Sequence, residues 1–204
     1  MSSFTDFIKS NKDSIIKPTV VMVCICIVVT LALSLSDLVT APKIKVLEEK
    51  EQKDAMSRVI KADNYKKETK DITFDGNDAS ETVTYYTAKN SKKIIGYIFV
   101  MNEKGYGGDV SVMTAINTDG TVKAVDILDV SNETPGLGQN SKKESFYSQY
   151  KGLKNNISVV KNGADSDNNE INAVTGATIT SKAVTKAVNK SLEAYKKVSK
   201  GGGK

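Results

Sequence analysis

The chain has 204 residues, a formal net charge of +5, and neither histidine nor tryptophan. The missing histidine excludes the commonest general base, the commonest zinc ligand and every histidine-dependent triad. Arg58 is the only arginine, so the positive charge is lysine, which reads bases poorly; nucleic acid is not an expected partner.

Residues 18–35 read PTVVMVCICIVVTLALSL without a charge, and continuing through Val39 reaches the roughly 20 residues that a bilayer core requires. Pro18 suits a first helical turn. A cleaved signal peptide is the competing reading, but no small-x-small site follows the run, so an uncleaved anchor in membrane lipid is expected. Cys24 and Cys26 both lie in this run and, two apart, share no helix face. The polar remainder has no thiol for a metal site or a disulfide, so redox chemistry there would need an organic cofactor.

Lysines flank the run on both sides and do not decide its orientation. A short N-terminal tail before a long C-terminal domain is typical of a signal anchor. The expected arrangement is therefore a cytoplasmic tail over residues 1–17, a single-pass anchor at 18–40, a connecting helix at 41–65, an extracytoplasmic domain at 66–198, and a flexible tail at 199–204.

In the connecting helix, Ile44, Leu47, Met56, Val59 and Ile60 form a broken apolar stripe, with Pro42 allowing a bend before it. TVTYYTAK at 82–89 and IIGYIFVM at 94–101 are β-branched and aromatic, and the turn residues Asn90 and Ser91 separate them. VSVMTAIN at 110–117 and TVKAVDILDV at 121–130 flank Asp119-Gly120, a hairpin signal. These four segments read as an antiparallel meander. A short helix is expected at 144–153 and a strand at 157–161. In the last segment, Val184, Ala187, Val188, Ser191, Leu192 and Tyr195 follow helical spacing, so an amphipathic helix packs on the sheet. The class is α+β: an N-terminal transmembrane helix, then an antiparallel sheet domain with packed helices.

Three stretches could carry chemistry. GYGGDV, from Gly105 to Val110, includes Tyr106 and Gly107. It is either a glycine hairpin or a backbone that lets a planar ligand come close. In ETPGLG, from Glu133 to Gly138, the residues Thr134-Pro135-Gly136-Leu137 fit a type II turn. INAVTGATITSK at 171–182 crowds hydroxyls before the final helix, where Thr180 or Ser181 would be the cap. Free amides and the dipole at that helix start favour an anion, and a phosphate there would explain Lys182 in the first turn; a capped helix with solvated lysines is the plainer reading.

Taken together, GYGG, ETPGLG and TGATITS before an amphipathic helix resemble the FMN-binding domain. That domain is found in the G subunit of the Rnf electron-transport complex and the C subunit of the sodium-pumping NADH:quinone oxidoreductase. The resemblance covers about residues 94–195. It implies that FMN is joined by a phosphoester to the last threonine of the motif, which is Thr178 here, with Thr175, Gly176 and Ala177 completing it. A flavin transferase would make the link. Asn172 stands where the family motif usually has an aspartate, and Glu170 is close but displaced.

The resemblance further implies an electron-relay component within an Rnf-type ferredoxin:NAD oxidoreductase, alongside other membrane and peripheral subunits, with transfer coupled to sodium or proton movement. The corresponding quinone-reductase component, a stand-alone extracytoplasmic flavoprotein and a non-enzymatic binding module are the alternatives. No side chain reads as an acid–base catalyst. Thr180, Ser181 and Lys182 are expected around the phosphate, while Glu133 and Thr134 (polar), Leu137 (apolar) and Gly138 (close backbone) are expected against the flavin ring.

Overall fold

The structure, a computed structural model, describes residues 12–76, 79–91 and 93–199; the ends of the chain, including most of the expected tails, lie outside them. Two compact units divide the chain, Met1–Glu51 and Gln52–Lys204.

The first element, α1, is one helix from Lys12 to Val59. It runs through Pro18 and Pro42. Pro18 is therefore interior, not in the first turn, and each proline removes one i to i−4 hydrogen bond. The segment Ile16–Leu38 is long and apolar enough to cross a membrane. Its 23 residues span about 34 Å of helix against a hydrocarbon core of about 30 Å. Thr30 Oγ1 donates to the Cys26 carbonyl at 2.6 Å and Thr40 Oγ1 to that of Ser36 at 2.8 Å. Both hydroxyls are thus satisfied within the helix. The side chains of Ile44 and Leu47 lie outside the described set.

The second unit is built on a five-stranded antiparallel meander in the order β1-β2-β3-β4-β5. The strands are β1 Asn64–Thr73, β2 Ser80–Asn90, β3 Lys93–Lys104, β4 Asp109–Asn117 and β5 Val122–Asp129. The last four are those expected from sequence. The β4–β5 hairpin closes as expected, with Gly120 at φ 86° and Asp119 Oδ1 accepting from the Thr121 amide at 2.9 Å.

Strand β1 was not anticipated. Half of the residues in its sequence, NYKKETKDIT, are charged, and it buries only Ile72. It is an edge strand, where exposed lysines discourage further pairing.

Beyond the meander, α2 (Glu144–Tyr147) is shorter than expected and continues as a 3-10 turn at Ser148–Tyr150. Two three-residue strands, β6 (Ser158–Val160) and β7 (Glu170–Asn172), pair in parallel. The final helix, α3, runs from Thr178 to Ser199.

Alternation along the strands loads both faces of the sheet. Phe99, Val112 and Ile116 pack with Val184, Val188 and Leu192 of α3. Their neighbours Ile98, Met113 and Ala115 pack with Ala55, Met56 and Val59 from the end of α1. Helix α3 is also clamped by charge. Glu103 of β3 is buried, and Lys186 Nζ lies 2.8 Å from its Oε2. Lys190 Nζ lies 2.6 Å from Oε1, at an angle poor for hydrogen bonding. Burial alone would raise the Glu103 pKa, but the two lysines outweigh it and hold the pKa below the usual value. This packing fixes where the first turn of α3 meets the loops after β3 and β5.

Candidate functional site

Two similar turns frame the site. In the first, the Leu137 amide donates to the Thr134 carbonyl at 3.1 Å and Gly136 sits at φ 75°. This is the expected type II turn, with glycine at the position that needs positive φ. It leaves Leu137 43% exposed. In the second, the Ala177 amide donates to the Val174 carbonyl at 2.9 Å, with Gly176 at φ 76°. The turns touch, since a Cβ on Gly176 would come within 2.9 Å of Leu137 Cδ2.

Helix α3 begins at Thr178, earlier than the expected cap at Thr180 or Ser181. The Ala177 carbonyl accepts the first helical bond, from the Ser181 amide at 3.0 Å. Ala177 therefore occupies the capping position without a side-chain acceptor. The amides of Thr178, Ile179 and Thr180 have no carbonyl of their own helix to bond.

The two residues expected as caps face inward. Ser181 is fully buried; its hydroxyl donates to the Ala177 carbonyl and accepts from the Val174 amide, both at 2.9 Å. Thr180 is 1% exposed and donates to Glu133 Oε2 at 2.6 Å. Both hydroxyls are spent within the protein, so neither is positioned to donate to a bound phosphate.

Glu133 joins all three motifs. It is 2% exposed. Oε1 accepts from the Tyr106 amide at 2.8 Å and the Gly107 amide at 3.0 Å, while Oε2 takes the Thr180 hydroxyl. The surrounding glycines make room for this contact. A Cβ on Gly105 would collide with Oε1, one on Gly107 with the Asn132 carbonyl, and one on Gly138 with Oε2. Gly107 and Gly138 thus let the backbone come close to the 132–133 segment and to Thr180. Glu133 itself ties these loops together.

Above this node lies a cavity of about 570 Å3 lined by Tyr106, Glu133, Thr134, Leu137, Gly138 and residues 176–180. Three segments distant in sequence therefore share one site. Around it Tyr106 is 72%, Leu137 43% and Ile179 54% exposed. Ile179 was missed by the sequence reading. The signal was its position, an isoleucine off the apolar stripe that begins at Thr180 and continues through Val184 and Val188.

Thr175 is exposed and lines a separate cavity with Asn172, Lys143 and Gln149. Asn172 Oδ1 accepts from the Ala164 amide at 3.1 Å, and Gln149 binds both its backbone groups. Ala177 is buried. Lys182 is exposed, one turn after Thr178 on the same helix face.

The FMN-binding domain family matches residues 105–193, a stretch that opens at the first glycine motif and ends within α3. Among curated relatives, the G subunit of the proton-translocating ferredoxin:NAD(+) oxidoreductase complex of Clostridium ljungdahlii is 46% identical over 111 residues, 53% of this chain and 58% of that protein. The Na(+)-translocating counterpart from Acetobacterium woodii is 40% identical over 124 residues, 59% of this chain and 58% of that protein. The chain thus matches little more than half the length of these two relatives. The G subunit of the ion-translocating oxidoreductase complex of Methanosarcina acetivorans is 30% identical over 189 residues, 90% of this chain and 96% of that protein.

The chain belongs to this G-subunit family. Among solved structures, the C subunit of the Na(+)-translocating NADH-quinone reductase of Parabacteroides distasonis superposes with a TM-score of 0.51 at 26% identity, covering 58% of this chain and 63% of that one. The G-subunit family thus shares an α+β fold with a component of a second ion-translocating reductase. In this G-subunit homologue, the cavity and its three motifs fall within the FMN-binding match.

Proposed function

We propose that this protein holds FMN esterified to Thr178. It would relay electrons within an Rnf-type ferredoxin:NAD oxidoreductase that couples transfer to ion translocation. The carrying observation is the position of Thr178 itself. Its side chain is partly exposed in a cavity that also holds the unpaired first amides of α3 and three exposed apolar or aromatic side chains.

The residues fit the cofactor at both ends. Helix-start amides and the dipole favour the phosphate, and Ala177 contributes no competing capping oxygen. Lys182, four residues after Thr178, would supply a charge-assisted contact on the same face. Leu137, Ile179 and Tyr106 offer apolar surface for a planar ring. When bound, FMN supplies the electron-transfer chemistry; the protein orients it and sets its surroundings.

The link would form between Thr178 Oγ1 and the phosphate with net loss of one water, catalysed by a flavin transferase. The Ile16–Leu38 segment would anchor the protein in lipid with its N-terminus inside and the flavin domain outside the cytoplasm. An ester bond would retain the cofactor where lost FMN could not readily be recovered.

Tandem mass spectrometry of the peptide spanning residues 162–182, from cells that contain the transferase, tests the assignment. One FMN less one water is expected on Thr178. Thr178→Ala should abolish it while leaving the melting temperature nearly unchanged, since surface substitutions usually fall within about 0.5 kcal/mol. The same mass increase on Thr175 or Thr180, or its survival in Thr178→Ala, would overturn the assignment.

A further inference from the structure

The second unit buries two glutamates with opposite electrostatic treatment. Glu103 is 7% exposed and faces two lysine ammonium groups. Glu133 is 2% exposed, yet no lysine or arginine among the described residues forms an ion pair with it. Its three hydrogen-bond donors are two backbone amides and a hydroxyl, all neutral. A carboxylate bonded this way is satisfied but not neutralised. Buried charges are normally paired, so an unpaired one beside a cavity calls for an explanation. Glu133 is also the one residue lining that cavity with a charged side chain.

We infer that Glu133 is the fixed negative charge of the flavin cavity and that it makes the bound flavin harder to reduce. The inference rests on the flavin reading above. An electron added to the flavin raises the negative charge in the same cavity, and Glu133 opposes it. The three donors hold the carboxylate in place, so its effect is constant from turnover to turnover. A unit charge within about 10 Å, at an effective dielectric of about 20, shifts a one-electron equilibrium by roughly tenfold or more.

Glu133→Gln separates charge from shape. The amide oxygen can still accept from Tyr106 and Gly107, and the new NH2 can donate to the Thr180 hydroxyl, which is able to accept. The test is a spectroelectrochemical titration of the FMN-loaded full chain in detergent. The parent, Glu133→Gln and Glu133→Asp are compared, each first shown by mass to carry FMN.

The expected result is at least a tenfold shift toward the reduced flavin in Glu133→Gln, a rise of 59 mV for one electron. Glu133→Asp, which keeps the charge, should stay close to the parent. An unchanged potential in Glu133→Gln would overturn the inference, as would equal shifts in both variants, which would mark a purely geometric role. A folded Glu133→Gln chain that takes up no FMN would overturn it too. If Glu133→Gln does not fold, Thr180→Val carries the test. It withdraws one donor from Oε2 while leaving the charge, and the potential should fall; no change refutes the inference. A parent chain without FMN would instead count against the flavin reading itself.

Discussion

Replacing Glu103 with glutamine keeps the shape of the clamp between β3 and α3 but removes its charge. Lys190 is only 22% exposed and Glu103 7%, so breaking this half-buried ion pair costs about 1.5–3 kcal/mol, between the values for a surface and a buried pair. Lys186 is 65% exposed, and its pair adds under about 1 kcal/mol. Without the carboxylate, the two lysines face each other as an i, i+4 like-charge pair, a further 0.2–0.5 kcal/mol or so. Relief of burying the carboxylate offsets part of the sum, leaving about 2–3 kcal/mol. For a domain of this size that lowers the melting temperature by about 4–12 °C.

The effect depends on pH with a defined sign. Because the folded-state pKa of Glu103 lies below the usual 4.5, its stabilisation is present in full above that value. It is lost as pH falls through the lowered pKa. Circular dichroism melts of parent and Glu103→Gln should therefore differ at neutral pH and converge in acid. Lys66→Ala, which breaks a pair whose side chains are 64% and 29% exposed, is the control and should cost less than about 1 kcal/mol. A Glu103→Gln loss below about 0.5 kcal/mol, or a gap that persists undiminished in acid, would refute the reasoning.

Gly107→Ala would drive a Cβ into the Asn132 carbonyl, which cannot swing aside. A loss of about 1–3 kcal/mol and faster amide exchange at residues 106–108 are expected; unaltered exchange would contradict the packing. Leu137→Lys should shift the visible flavin spectrum with the phosphoester intact, and an unchanged spectrum and potential in the folded variant would place the ring elsewhere. Single cysteines in the Gln52–Lys204 unit should react with an impermeant thiol reagent in intact cells; labelling only after lysis would reverse the proposed topology.

What could be read from the sequence was what local chemistry dictates. Pro135-Gly136 and Asp119-Gly120 announced their turns because only glycine readily takes positive φ there. Strands β2 to β5 showed in their β-branched and aromatic runs. Strand β1 did not, because its lysines and glutamate occupy positions where an inner strand would carry apolar residues. The start of α3 was misjudged because the hydroxyls of Thr180 and Ser181 resemble caps, whereas Ala177 does not. The role of Glu133 was illegible for a different reason. Its partners lie 26, 27 and 47 residues away, and nothing local marks a carboxylate that will be buried by its contacts.

Those separations also bear on assembly. The meander pairs neighbours in sequence, but the cavity exists only once the first turn of α3, the last described element, has docked. Until then the Glu133 carboxylate lacks its Thr180 partner, and the Thr178 hydroxyl lies in a segment with no helix start to receive a phosphate. A covalently held cofactor would therefore be a record of completed folding, visible on a gel as fluorescence, and truncated or misfolded chains would remain dark.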